Sequence, residues 1–107
     1  MKILLDECLP RKLKNSLPGH DVETVPKMGW AGVKNGALLQ RMEPLFDVFI
    51  TMDGNLEYQQ NLPAVKMAFI VLVAVDNKIE TLLPLMPDVN EALRAIENGD
   101  VVRVSAE

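Results

Sequence analysis

Three short apolar runs, none interrupted by a polar residue, constrain this chain more than any other feature. They cover residues 3–5, 48–50 and 67–75. A strand with one wet face alternates apolar and polar residues, whereas an unbroken run of this length reads as a strand covered on both faces. Strands of that kind belong to parallel sheets, whose crossovers lay helices over both sides.

The segments between the runs supply those crossovers. Leu9, Leu13 and Leu17 recur every four residues with Arg11, Lys12 and Lys14 between them. That spacing predicts an amphipathic helix entered at Pro10 and ended by Pro18-Gly19, with His20 in the turn. Residues 21–25 alternate and predict a strand with one exposed face. A loop over 26–34 holds Met28, Gly29, Trp30 and Gly32. Asn35 then fits the N-cap of a helix over 36–43, closed by Pro44. Residues 56–63 are polar, with one helical turn expected around Tyr58. Residues 79–98 carry a helical stripe of leucines split by Pro84 and Pro87, the main helix starting near Asp88. A terminal strand is expected over 101–104.

The expected architecture is one α/β domain over residues 1–107. It has three layers, α/β/α, around a mostly parallel sheet of 4–5 strands. No apolar stretch approaches the roughly 20 residues that span a bilayer. The amino-terminal strand running into acid is unlike a signal peptide, and one cysteine forms no internal disulfide, so cytoplasm is the default location. The formal net charge of −4 argues against non-specific nucleic-acid binding through a global positive field. An acidic site neutralised by metal remains compatible with it.

Two of the buried runs stop at acid. The first ends in Asp6-Glu7 and the second in Thr51-Met52-Asp53-Gly54-Asn55. In a parallel sheet both termini lie at the carboxyl edge, where open α/β folds keep their ligands. If the first and third strands are neighbours, Asp6 and Asp53 converge. Two carboxylates ~5 Å apart repel by a few kcal/mol at an effective dielectric near 20, and a hard divalent cation resolves that repulsion. Mg2+ takes carboxylate oxygens, waters and substrate phosphate, which is phosphodiester-hydrolysis chemistry. Asn55 is placed to ligate or to hold metal-bound water, and Glu7 to be a further ligand or a base. Lys34 and Arg11 are candidates for substrate phosphate. The plainer alternative is that each acid caps a following turn or helix, that Glu7 is a solvated first-turn acid, and that the cations only solubilise. Cys8 reads as a small buried side chain, because the adjacent acids oppose a thiolate. Trp30 reads as a loop plug over the core, with base stacking as the alternative.

The opening Leu4-Leu5-Asp6-Glu7-Cys8-Leu9-Pro10 resembles the "LLDENLP" start of small stand-alone PIN-like domains, a group of toxin-type ribonucleases. Gly19-His20-Asp21-Val22, Gly29-Trp30-Ala31-Gly32, Asn35-Gly36-Ala37-Leu38 and the segment from Phe46 to Leu56 follow in that family's order, covering nearly the whole chain. The resemblance implies a compact PIN-like fold with acids gathered at the carboxyl edge, Mg2+ or Mn2+ as cofactor, and RNA as substrate. It also implies control by an antitoxin protein; a homodimer is allowed. By position, Asp6 and Asp53 are the metal-binding acids, with Asn35 where many relatives carry an acid. An amide oxygen still ligates but brings one negative charge fewer. Cys8 stands where asparagine often follows the Asp-Glu pair.

Three functions are therefore carried forward. The leading one is a metal-dependent endoribonuclease of toxin–antitoxin type. The second is a catalytically weakened PIN-like binding module. The third is a receiver-like phosphoacceptor, since receivers also place an acidic pair after the first strand and an aspartate after the third. Receivers further need a hydroxyl after the fourth strand and a lysine after the fifth, neither of which is evident in this chain.

Overall fold

The computed structural model describes residues 1–106, with Glu57 described by its backbone. Five strands form one parallel sheet: β1 (Lys2–Leu5), β2 (Asp21–Thr24), β3 (Val48–Thr51), β4 (Ala68–Val73) and β5 (Val101–Ser105). Their order is β2-β1-β3-β4-β5. The first and third strands are thus neighbours, in the register Ile3↔Val48, Leu4↔Phe49, Leu5↔Ile50.

Alternate residues of the three central strands face opposite sides, so each side has its own core. Ile3, Leu5, Val48, Ile50, Ile70 and Leu72 point to one side. There they meet Leu9, Leu13 and Leu17 around a 3-10 turn (Arg11–Ser16), and Leu82, Leu85, Met86, Val89 and Leu93 from α3 (Ile79–Leu82), α4 (Met86–Leu93) and the 3-10 turn between them. Leu4, Phe49 and Phe69 point to the other side, under Leu38, Leu39 and Met42 of α1 (Asn35–Met42) and Leu56 of α2 (Leu56–Gln59). Trp30 plugs this second core from the loop, its ring edge-on to Phe46 at 6.3 Å and 81°. The three-layer architecture follows directly from the two-sided strands. Among the described residues no helix is long and apolar enough to cross a membrane.

The connections show one irregularity. The β3–β4 and β4–β5 crossovers step the same way across the sheet but pack on opposite faces, so their hands differ. At least one therefore departs from the right-handed rule for parallel crossovers.

Three local expectations change. The segment carrying Leu9, Leu13 and Leu17 is a 3-10 turn, Arg11–Ser16, and not an α-helix. Proline on either side, at 10 and 18, leaves too few residues for a stable α-helix, while the tighter winding still buries all three leucines. Asn35 is the first residue of α1 and Lys34 the N-cap, with no side-chain cap bond. The carboxy-terminal helix ends at Leu93 and not at Asn98. The amides of Arg94 and Ala95 turn back to Glu91 and Ala92, three residues earlier, which tightens and closes the last turn.

Gly99 enters β5 with φ +90°, and its amide donates to the Met67 carbonyl at 2.7 Å. An added Cβ would lie 3.2 Å from the Pro63 carbonyl oxygen. Gly99→Ala is expected to cost about 1–2 kcal/mol from backbone conformation alone. A urea midpoint that does not move would show that the turn relaxes freely.

Candidate functional site

The strand order reverses direction between β1 and β3. The chain leaves β1 toward β2, then returns past β1 to β3, and open parallel sheets form their ligand crevice at such a switch point. Asp6 and Asp53 flank this crevice, because each follows the carboxyl end of one of the two strands. The crevice has a volume of about 360 Å3, and Asp6, Glu7, Cys8, Asn35, Met52 and Asp53 are among its lining residues.

Its geometry is set by the ladder. The Asp6 amide donates to the Ile50 carbonyl at 3.0 Å, extending the β1–β3 pairing one residue beyond the strand. That places Asp6 opposite Thr51, whose side chain is fully buried. The Thr51 hydroxyl donates to Asp6 Oδ2 at 2.6 Å and accepts the Asp53 amide at 2.9 Å. One buried hydroxyl thus ties the two acidic termini together.

The remaining bonds hold each carboxylate in one orientation. Asp6 Oδ1 accepts the Glu7 amide at 2.8 Å. Asp53 Oδ1 accepts the Asn55 amide at 3.0 Å, and Oδ2 accepts Asn35 Nδ2 at 3.2 Å. Asn35 Nδ2 also donates to Gln59 Oε1 at 3.3 Å. Each carboxylate oxygen therefore has one donor among the described residues, half of the two lone pairs it carries.

The other sequence candidates fall in different places. Glu7 is exposed, and its carboxylate accepts the Gly32 amide at 3.2 Å, bridging to the loop before α1. Asn55 meets Asp53 through its main chain, and its side chain is exposed at the start of α2. Lys34 is exposed at the start of α1. Arg11 lines a separate cleft beside β2. Cys8 lies in the crevice, its thiol pKa pushed up chiefly by burial and further by the Asp6 charge, against the opposing Met52 amide. That disfavours a thiolate nucleophile. Asp47 sits at the opposite sheet edge, where its carboxylate accepts the Lys2 amide at 2.8 Å.

Thr51 is the residue that sequence reasoning missed. A threonine directly after a buried run, two residues before an aspartate, was the available signal; alternation puts it on the face of Phe49, inside the fold.

The donor set bears on which cation would suit the crevice. Two carboxylates are hard oxygen donors, matched to Mg2+ or Mn2+ and not to zinc, which favours histidine and thiolate. Among the described residues no group of three or more His, Cys, Asp or Glu side chains is placed to hold a metal ion. The set fits an ion that takes one or two carboxylates and fills its other positions with water and phosphate. No protein-family model matches this chain, and neither a curated protein nor a solved structure does.

Proposed function

We propose that the protein is a metal-dependent endoribonuclease of toxin–antitoxin type, with Mg2+ or Mn2+ held between Asp6 and Asp53. The observation that carries this reading is the pairing of both acids across the switch point through the buried Thr51 hydroxyl. The Thr51 hydroxyl joins the Asp6 carboxylate to the Asp53 main-chain amide, and both acids line one crevice, where a cation would meet two negative groups. The resemblance of the opening segment to PIN-like domains adds the substrate class, RNA, and an antitoxin partner.

In this reading Asp6 and Asp53 supply the charge, Thr51 orients Asp6, and Asn35 with the Asn55 amide orients Asp53. Exposed Glu7 stands at the crevice mouth to accept a proton from the attacking water, with the Gly32 amide steadying its carboxylate. The cation, when bound, supplies Lewis-acid polarisation of the scissile phosphate. Asn35 presents its amide hydrogens to Asp53, so its oxygen becomes a ligand only after the amide turns over. The test is cleavage of end-labelled single-stranded RNA with Mn2+, compared with the same reaction in EDTA. Equal product in both arms would sink metal-dependent hydrolysis.

Asn35→Asp sharpens the metal assignment. A third carboxylate should tighten Mn2+ binding on the order of tenfold, since affinity follows ligand charge. It should also lower the melting temperature in EDTA, where the added charge repels Asp53. Calorimetry showing weaker Mn2+ binding in this variant would remove Asn35 from the site.

The strand order favours a second reading, the receiver-like phosphoacceptor, because flavodoxin-like sheets with an aspartate after the third strand share it. Against it, β4 runs into Ala74-Val75-Asp76-Asn77 with no hydroxyl, and β5 closes on Arg103-Val104-Ser105 with no lysine. The crossovers of unlike hand are also foreign to a regular doubly wound sheet. Incubation with a small phosphodonor and intact-mass measurement decides between them: a single added phosphoryl group lost in Asp53→Asn supports the receiver. The weakened binding module draws on Asn35 in the acid's place, and Mn2+ binding without RNA cleavage is its signature.

A further inference from the structure

We propose that a basic cleft beside β2, formed by Arg11, Lys14 and Lys27, binds the phosphates of the RNA strand that leads into the acidic crevice. The inference rests on the ribonuclease reading and deepens it by naming the substrate path.

The cleft has a volume of about 280 Å3 and is lined by Arg11, Lys14, Val22, Glu23, Thr24 and Lys27. Three cations meet there in a chain whose net charge is −4. Their convergence has a local cause. In a 3-10 turn, residues three apart eclipse one another, so Arg11 and Lys14 leave the backbone in the same direction. In the α-helix that the leucine spacing suggests, they would diverge by about 60°. Lys27 lines the same cleft from a tight turn where its amide donates to Thr24 Oγ1 at 3.2 Å and the Met28 amide to the Thr24 carbonyl at 3.1 Å.

Arg11, Lys14 and Lys27 are exposed. Glu23 shares the cleft but forms no ion pair with them among the described residues. The position also suits a substrate path. Thr24 pairs with Leu5, the residue before Asp6, and adjacent strands lie about 4.8 Å apart. The Leu9 amide donates to the Asp6 carbonyl at 3.0 Å, so the turn carrying Arg11 hangs directly from the acidic terminus. The cleft and the acidic terminus thus share the β1–β2 side of the sheet. Of the two sequence candidates for this task, Arg11 lines the cleft and Lys34 lines neither cleft nor crevice.

The test uses the intact protein and a fluorescein-labelled single-stranded RNA, followed by anisotropy in EDTA over a salt series and by cleavage with Mn2+. Each phosphate contact to a single strand contributes roughly 0.7 to the slope of log affinity against log salt. The triple variant R11A/K14A/K27A should therefore lose about two units of slope, bind at least about tenfold more weakly at low salt, and raise KM more than it lowers kcat. Arg41→Ala/Lys66→Ala, which removes two cations outside the cleft, should change none of these. Lys27→Ala alone, losing about one-third of the triple's slope change, guards against a folding defect. Unchanged slope and KM in the triple would overturn the cleft while leaving cleavage intact. Equal competition by polyglutamate and by unlabelled RNA would overturn it in favour of an acidic protein partner. Cation-dependent RNA binding without cleavage under any metal would leave the cleft standing and remove the ribonuclease reading.

Discussion

Asp6→Asn is expected to lower Mn2+-dependent RNA cleavage by at least about 10²-fold, and Asp53→Asn by a similar factor. The substitution keeps size and shape, and its amide still offers an oxygen to the Thr51 hydroxyl that donates to Asp6 Oδ2 at 2.6 Å. What it removes is charge and one of the two acceptor oxygens, since Asp6 also takes the Glu7 amide at 2.8 Å. In the absence of a divalent cation the variant should lie within about 1 kcal/mol of the parent, the lost acceptor offsetting the removal of one negative charge. Thermal melts in EDTA and with Mn2+ therefore accompany the activity assay. The parent should gain stability with Mn2+, and Asp6→Asn should lose most of that gain. Activity that survives both substitutions would falsify the assignment of this crevice as the reaction centre. A large loss of stability in EDTA with unchanged cleavage would make Asp6 a structural cap.

Phe49→Ala should cost about 3–5 kcal/mol, the range for truncating a buried aromatic side chain. Phe49 is 1% exposed at the centre of β3, paired with Leu4 on one side and Phe69 on the other. A domain of this size has only about 5–15 kcal/mol of stability in all, so the variant loses a large part of it. Phe49→Leu should cost clearly less, since it leaves the smaller void. The site gives a second reason for the choice. Phe49 lies on the same side of β3 as Thr51, so a void beneath it loosens the strand end that carries the Asp6–Asp53 link. Urea denaturation reads the stability, with an unchanged slope expected for a cooperative loss. A cost below about 1 kcal/mol would mean that this core repacks freely, contrary to the close packing of α1 and α2 on the sheet.

Comparison of particular elements shows where local pattern suffices. The runs at 48–50 and 67–75 identify β3 and β4, because an unbroken apolar strand needs cover on both faces wherever it sits. The helix around Leu38, Leu39 and Met42 is equally plain from its spacing. Leu9, Leu13 and Leu17 mislead: a four-residue repeat fits an α-helix, but the short span between two prolines favours 3-10 winding, which also buries all three. Asn35 misleads in another way. Its residue type suits a cap, yet its side chain is drawn to Asp53 and Gln59, two partners brought near only by the folded sheet.

By itself, then, the sequence determined that buried strands alternate with helices and that two of those strands end in acid. Both are properties of residue type and spacing, and they survive any arrangement of the strands. Which strands are neighbours was decided only by tertiary structure, because alternation tells which face of a strand is covered and not what lies beside it. Placing β1 against β3 brings Asp6 opposite Thr51 and makes one buried hydroxyl the link between two distant acids. The meeting of Arg11 and Lys14 with Lys27 depends on tertiary structure in the same way, since the pairing of β1 with β2 sets their two segments beside one cleft.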